Sequence, residues 1–319
     1  MRIFLLFLYL IGFYTNSYSQ CDNTKPMYGK DCIKTKEMLD FDNEFINKTI
    51  IQFHNKDSAA KIYLRYGFRY LTLQNDPITS IKRFNQSWLI NPNNPNVYFV
   101  FGLFTEFILS KDSILANEYY GTGRKLDKDY KHEISTYFSF LDYFERIGDT
   151  ATILKICDRA IKIDSAALSG YFFKKRGFYN LQMLRFSRCE EDLNKAILID
   201  PKDATTFYNK ASLYTAQKRI EEAKAINLYV LELDNKHKSA LDWLLFYYWG
   251  DNKIGDSAII IIDKILNINE TPEAYNIKSE ILFSQNKDLE GCNCLKKSLD
   301  LGLKENKKLY KQKCEKNGK

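Results

Sequence analysis

The amino-acid sequence predicts an all-α protein, a right-handed α-solenoid of stacked antiparallel helix pairs. The first observation is a repeat: an Asn or Asp follows a mostly apolar stretch seven times, at intervals of 36, 36, 37, 36, 34 and 35 residues. These residues are Asn55, Asn91, Asp127, Asp164, Asp200, Asp234 and Asn269. The second is composition, because six Pro and fourteen Gly among 319 residues argue against disorder and against a β fold with many turns. A unit of about 34 residues fits two antiparallel helices, so the repeats predict one continuous domain.

Residues 1–19 are predicted to be a cleaved signal peptide. A charged second residue is followed by a mostly apolar run over residues 3–14, and Ser17 and Ser19 place small residues before a cut that follows Ser19. The run is too short for a membrane helix, which needs about 20 apolar residues. We therefore expect an exported chain without a membrane span, in the periplasm, on the cell surface or in the medium.

Residues 20–57 are predicted to hold an N-terminal segment with a capping helix. A helix that ends at Asn55 keeps the interval of the repeat, but Glu44, Lys48 and Ile51 occupy the positions where later copies carry small residues. A terminal unit of a repeat array is expected to differ from the inner ones in this way.

Export changes the interpretation of the seven cysteines, because an oxidising compartment permits disulfides. Cys21 and Cys32 flank a short N-terminal loop. Cys292 or Cys294 would reach Cys314 if the last helices fold back on each other. Free thiols are the alternative for both pairs.

Cys21 has a second possible role, and two further cysteines are predicted to be buried. Cys21 raises the alternative of a lipoprotein, but the preceding Tyr18-Ser19-Gln20 lacks the Leu and the small residue of lipoprotein signals. Cys157 and Cys189 lie on apolar faces inside predicted helices, where a thiol behaves as a small buried hydrophobe.

Residues 58–303 are predicted to hold about seven repeats, in six to seven helix pairs. In the best-preserved copy, Gly177 stands sixteen residues before Leu193 and twenty-four before Pro201, with Cys189 and Ala196 at small positions between them. This pattern resembles the tetratricopeptide repeat, and the resemblance covers residues 59–303. It implies that the small residues let two helices approach, that Leu193 packs between them, and that Pro201 ends the second helix.

Other copies keep parts of the same pattern. Gly67 with Phe84, and Gly102 with Tyr120, belong to copies one and two residues longer. Helical periodicity supports the helices independently of the family, because five apolar residues at i, i+3, i+4, i+7 and i+8 form one helix face. They are Ala258, Ile261, Ile262, Ile265 and Leu266.

Residues 304–319 are predicted to be a Lys-rich, solvated C-terminal tail. The tail holds seven Lys and two Glu, so it carries +5 of the net charge of +7. The rest of the chain is nearly balanced, which argues against a nucleic-acid surface.

No catalytic pattern is visible in the sequence. The three His lie far from a second His or Cys in ligand spacing, which argues against a metal site. Phosphate loops, dinucleotide fingerprints and nucleophile elbows are also absent from the sequence. The sequence therefore predicts a non-enzymatic protein without a cofactor.

In the tetratricopeptide family, the first helix of each pair lines a concave groove that binds partners. The resemblance implies that such a groove is lined here by Phe68, Phe99, Phe107, Tyr171, Lys174, Phe178, Tyr208, Trp243 and Tyr247. Aromatic side chains offer a large contact area with few rotors to order, which suits a protein or peptide partner. Packing between repeats is the alternative for each residue, because an error of one residue in register exchanges a groove position for a core position.

The family's set of Lys, Asn and Arg that grips a chaperone's C-terminal carboxylate is not present, since the matching positions hold Lys174, Phe178, Tyr208 and Ser212. The sequence resembles exported repeat proteins of Bacteroidota in three features. These are the segment 291–302, the last residues of the predicted signal peptide, and a composition rich in Lys, Asn and Ile. We therefore predict an exported scaffold for a protein partner, with a carbohydrate-binding protein as the alternative.

Overall fold

A computed structural model describes residues 21–28, 30, 32–127, 131–163, 166–251 and 255–315. In this part of the chain every regular element is helical, which confirms the predicted all-α class. The predicted signal peptide lies outside the described residues. None of the described helices has the length and apolar character that crossing a membrane requires.

The chain divides into two compact units, Met1–Ile156 and Cys157–Lys319, and each is described by itself. The helices of the first unit are α1 (Lys36–Phe53), α2 (Lys56–Gln74), α3 (Pro77–Ile90), α4 (Pro95–Leu103), α5 (Ser113–Leu126) and α6 (Lys131–Ile147). A π-helical turn, Phe104–Ile108, extends α4, and α7 (Thr150–Ile161) contains the boundary between the units.

The helices of the second unit are α8 (Ala166–Gln182), α9 (Phe186–Ile199), α10 (Ala204–Ala216), α11 (Ile220–Leu233), α12 (Lys238–Leu245), α13 (Gly255–Ile268), α14 (Pro272–Ser284), α15 (Asp288–Asp300) and α16 (Lys307–Lys313). A π-helical turn, Phe246–Asp251, extends α12. After α1, the helices from α2 to α15 follow in seven successive pairs, and α16 comes after the last pair.

In several pairs, a glycine of one helix lies beneath a large side chain of the other helix. A Cβ at Gly67 would lie 2.2 Å from the Phe84 ring, and one at Gly102 would lie 2.5 Å from the Tyr120 ring. The corresponding distance from Gly177 to Leu193 is 3.1 Å. These contacts confirm the predicted roles of the small and bulky positions.

The repeated Asn or Asp has a structural cause in the turn between two pairs. At three of these turns its side-chain Oδ1 accepts the backbone N–H two residues later, at 3.0 to 3.1 Å, which is an Asx turn. The acceptors are Asn91, Asp200 and Asp234. The N-cap of the next helix follows three residues after each acceptor, at Asn94, Asp203 and His237. The recurrence of Asn or Asp at this position is therefore explained by an Asx turn between pairs.

The turn inside each pair also has a fixed conformation. A residue with positive φ, between 51° and 74°, lies in the turn that follows the first helix of six pairs. These residues are Asn75, Lys111, Gly148, Leu184, Lys218 and Asn286. Residues other than glycine are sterically strained in this left-handed region. The packing of the two helices therefore imposes the turn geometry.

The N-terminal segment packs against α3 within the first unit. A disulfide joins Cys21 to Cys32, whose Cα atoms are 5.3 Å apart. The fully buried Asn85 holds the loop between these cysteines with hydrogen bonds. Its Nδ2 donates to the carbonyl oxygen of Lys25 at 2.8 Å, and its Oδ1 accepts the backbone N–H of Tyr28 at 3.3 Å. A buried amide needs such partners, so Asn85 fixes where the segment lies.

Part of the predicted Lys-rich tail is helical, and its described Lys side chains are exposed to solvent. A disulfide joins Cys314 to Cys292 on α15, with the Cα atoms 5.6 Å apart. The Lys313 ammonium lies 4.6 Å from the centroid of the Phe283 ring. The side chain of Asn306 donates to Asn276 at 2.7 Å. These contacts place α16 against the last helix pair, whereas residues 316–319 lie outside the described residues.

Candidate functional site

The predicted groove residues of the first unit lie in or beside its aromatic core. Phe68 packs edge-on against Phe84 and Phe140, with centroid distances of 5.1 and 6.1 Å. Phe107 packs edge-on against Phe144. Phe68 and Phe107 are half-buried.

The prediction for Phe99 is wrong, because this residue is fully buried. A Cβ at Gly123 would lie 2.7 Å from the Phe99 ring, so the ring fills the space over a glycine of the partner helix. Phe99 is therefore a packing residue of its helix pair.

The prediction for Tyr247 is also wrong, because Tyr247 is only 8% exposed. Its ring stacks on Trp243 at a centroid distance of 5.6 Å and an interplanar angle of 8°. Trp243 Nε1 donates to Thr215 Oγ1 at 3.0 Å, and the Tyr247 hydroxyl donates to Glu221 at 2.6 Å. Both rings thus join neighbouring helices of the second unit rather than facing a partner.

The error is one of register, and the helix N-caps show the correct alignment. Asp203, His237 and Thr271 cap α10, α12 and α14, and successive caps are 34 residues apart. Counting nine residues from each cap aligns Phe246, and not Tyr247, with the position of Ser212. Phe246 is 63% exposed. In the sequence, this alignment could have been found by treating His237 as a helix N-cap. Histidine is an unusual cap, and here its Nδ1 accepts the Ala240 N–H at 3.3 Å.

The other predicted groove residues lie at or near the surface of α8 and α10. Lys174 forms an ion pair with Asp203 at 2.6 Å. Its ammonium also lies 5.9 Å from the centroid of the Tyr171 ring. Phe178 is exposed, and the Tyr208 ring lies 5.1 Å from the ring of His237. Of these four side chains, only Phe178 offers an open apolar surface.

The second unit also contains an apolar cleft of about 460 Å³, lined by side chains of α12, α13 and α14. Its walls are mainly aliphatic, and the large side chains among them are Leu241, Leu245, Ile262, Ile265, Ile268 and Ile277. Sequence analysis assigned two of these isoleucines, Ile262 and Ile265, to a helix face but identified no cleft, since the opening depends on the spacing between α12 and α14. A concave apolar site of this volume suits ligand side chains.

Charged and polar groups complete the lining of this cleft. The Lys238 ammonium and the Asp242 carboxylate, both part of the lining, form an ion pair at 2.9 Å. Glu273 and Asn269 also belong to the lining. An apolar site with a few polar groups is the usual composition of a site that binds and orients a ligand.

Reactive groups in the described residues have structural roles. Burial raises the pKa of the Cys157 and Cys189 thiols to about 12, so both are protonated and unreactive at neutral pH. Hydrogen bonds from Arg176 to Asp192, at 2.6 and 2.9 Å, raise the pKa of Arg176 and satisfy a buried carboxylate. In the part of the chain that the structure describes, no group of three or more His, Cys, Asp or Glu could hold a metal ion.

Comparisons with known proteins give distant similarities. No family model matches the sequence. The Hsp70/Hsp90 co-chaperone CNS1 of Saccharomyces cerevisiae is 26% identical over 86 residues, which are 27% of this chain. The chain spans only 22% of the length of this curated relative.

Two solved structures are similar in fold. A tetratricopeptide repeat protein from Parabacteroides merdae is 15% identical, with a TM-score of 0.43, over 79% of this chain and 97% of that one. Yeast Tom70 is 16% identical, also with a TM-score of 0.43, over 86% of this chain and 59% of that one. Similarities at these values show neither the family of this chain nor what it binds.

Proposed function

We propose that this chain is a non-enzymatic scaffold that binds a protein partner, and that the apolar cleft lined by α12, α13 and α14 takes aliphatic side chains of the partner. One observation carries the proposal: six large aliphatic side chains line a cleft of about 460 Å³, and four of them, Leu245, Ile265, Ile268 and Ile277, are at least partly exposed. Open apolar surface of this kind gains free energy when a partner covers it. The match to a co-chaperone also supports a protein as the class of partner.

The size of the cleft limits the affinity. Full burial of one Leu or Ile side chain contributes about 1.5 to 3 kcal/mol. Two such side chains in the cleft would supply about 3 to 6 kcal/mol, before the cost of ordering the bound segment. A short segment alone should therefore bind weakly, and tighter binding requires contacts outside the cleft.

Export of the mature chain to the cell envelope or the medium is part of the proposal. Disulfides persist in oxidising compartments, and the pairs Cys21–Cys32 and Cys292–Cys314 support such a location. Lipidation of Cys21 is not part of the proposal, because the Sγ atom bonded to Cys32 cannot also carry a lipid. Mass spectrometry of the chain isolated from its source tests this point: a lipid adduct on Cys21, or four free thiols at these positions, would contradict it.

A glycan held by groove aromatics is not favoured. Phe99 and Tyr247 are buried, and Trp243 is engaged with Tyr247 and Thr215. The open aromatic surface on which that alternative depends is therefore small.

The test compares two exposed isoleucines on the same helix. Ile268 lines the cleft and is 43% exposed, whereas Ile260 lies outside the cleft lining and is 60% exposed. A random peptide library is selected on residues 20–319, and the peptides obtained are measured by calorimetry against Ile268→Glu and Ile260→Glu. A charge at the edge of the cleft should oppose the entry of an apolar side chain.

We expect selected peptides to be rich in Leu, Ile or Val, with a Kd raised at least about tenfold by Ile268→Glu and unchanged by Ile260→Glu. Circular dichroism verifies that both variants keep their helicity. Failure to select aliphatic peptides, or an equal effect of the two substitutions, would contradict the proposed site.

A further inference from the structure

A second cleft, of about 490 Å³, lies in the first unit and differs in chemistry from the apolar cleft. Its lining comes from the start of α2, the turn from α3 to α4, and α6. The side chains with polar groups at this cleft include Asp57, Lys61, Asn93, Asn96, His132 and Ser135. The site belongs to a different compact unit from the proposed protein-binding cleft, so the two can be tested separately.

Two buried residues hold the polar groups of this cleft in position. Asn91, which is 5% exposed, donates from Nδ2 to Asp57 Oδ1 at 2.5 Å. The carboxylate of the buried Asp127 lies 3.1 Å from His132 Nδ1 and accepts the His132 backbone N–H at 2.9 Å. Asn91 and Asp127 are the C-caps of α3 and α5, so the backbone fixes both. Asp57 and His132 are therefore oriented before any ligand arrives.

The hydrogen-bonding groups that face this cleft include both donors and acceptors. Among the described residues, no ion pair engages the Lys61 ammonium, and Asp57 keeps one carboxylate oxygen without a hydrogen bond. The His132 imidazole, whose Nδ1 lies 3.1 Å from the Asp127 carboxylate, adds its second ring nitrogen, Nε2, as a hydrogen-bonding group. The Asn93 side-chain amide adds a donor and an acceptor.

The charge of the lining excludes other classes of ligand. One Lys and one Asp cancel, so the cleft has no surplus of positive charge for a phosphate or sulfate. Its described lining contains no Phe, Tyr or Trp and no large aliphatic side chain, so an apolar ligand would gain little there. A hydroxyl group both donates and accepts, and several hydroxyls on one ring match a neutral site of mixed donors and acceptors.

We propose that this cleft binds a neutral polyhydroxylated ring, a sugar, with Asp57, Asn93 and His132 as its principal hydrogen-bonding partners. The sugar is either a free saccharide or a residue of a glycan chain. Binding is weak, with a Kd on the order of 1 mM for a single ring, because the site is open to water and its hydrogen bonds replace bonds to water.

The test is saturation-transfer difference NMR on residues 20–319 with a panel of free hexoses, N-acetylhexosamines and their methyl glycosides. We expect a saturable signal from at least one sugar, reduced at least about fivefold by Asp57→Ala and by His132→Ala. Asp40→Ala is the matched control, because Asp40 is an exposed carboxylate on α1 outside the cleft. A signal that persists with the methyl glycoside identifies a glycan residue as the ligand, and its loss identifies a free reducing sugar.

Three results would overturn the proposal. The first is the absence of a saturable signal from every sugar at 50 mM, with the wild-type fold intact by circular dichroism. The second is a signal that Asp57→Ala leaves unchanged, and the third is a signal that inorganic phosphate displaces. The Ile268→Glu variant should bind sugar as the wild type does, so failure of the protein-binding proposal would leave this test intact.

Discussion

Removing the C-terminal disulfide should release α16 from the last helix pair. The bond closes a segment with a sequence separation of 22 residues. In the chain-entropy model, a loop of that length changes the entropy of the unfolded state by about 11 cal/mol/K, which corresponds to about 3.4 kcal/mol at 25 °C. A helix of seven residues is not stable alone, so the remaining contacts of Lys313 and Asn306 must hold α16 without the covalent bond.

The assay is urea unfolding together with hydrogen exchange, on a double variant Cys292→Ser, Cys314→Ser. We expect a loss of about 3 kcal/mol in the free energy of unfolding of the second unit, and near-complete loss of amide protection over residues 307–313. Cys294→Ser is the matched control, because Cys294 is a half-buried free thiol on the same helix as Cys292. Unchanged protection in the double variant, or an equal loss in the control, would refute the account of the C-terminal cap.

The remaining predictions concern the helix pairs and the buried thiols. Gly67→Ala should destabilise the first unit by about 1 to 3 kcal/mol, because the added Cβ meets an aromatic ring of α3. Gly121→Ala is the control, because a Cβ there has nothing within 4 Å, and it should stabilise the unit by about 0.5 to 1 kcal/mol. Thermal unfolding compares the two variants, and equal changes in unfolding temperature would contradict the packing role of Gly67. Lys218→Gly should raise the free energy of unfolding by about 1 kcal/mol, because Lys218 has φ 62° and glycine adopts this conformation without the steric cost. Urea unfolding measures the change, and a less stable variant would contradict the claim that Lys218 is strained. Burial raises the pKa values of Cys157 and Cys189 to about 12, so both thiols should stay protonated as the pH rises to 10. They should therefore resist alkylation in the native chain until denaturant is added. Rapid alkylation of the native chain, detected by mass spectrometry, would show that they are not buried.

Much of the local architecture could be predicted from sequence because it depends on steric requirements within one helix pair. Gly177 and Leu193, and Gly67 and Phe84, occupy the positions where two helices approach most closely. Such pairs have fixed separations along the chain, so a regular pattern reveals them. The Asx turn at Asn91 likewise combines a sequence signal with a local hydrogen bond.

The functional surface was harder to predict because it depends on register and on distances between pairs. An error of one residue made Tyr247 a groove residue, while the exposed side chain at that level is Phe246. The choice between Cys292 and Cys294 as the partner of Cys314 also depended on which face of α15 meets α16. Neither cleft is visible in sequence, since each combines side chains from three separate segments of the chain.

Methyl NMR is the most direct test of the proposed protein-binding cleft. The chain is labelled at the isoleucine δ1 methyl groups and titrated with an aliphatic peptide from the library selection. The proposal predicts saturable shifts at the methyl groups of Ile265, Ile268 and Ile277, which line the cleft, and none at Ile260 on the same helix as Ile268. Shifts at Ile260 and not at the three cleft residues would show that the partner binds elsewhere.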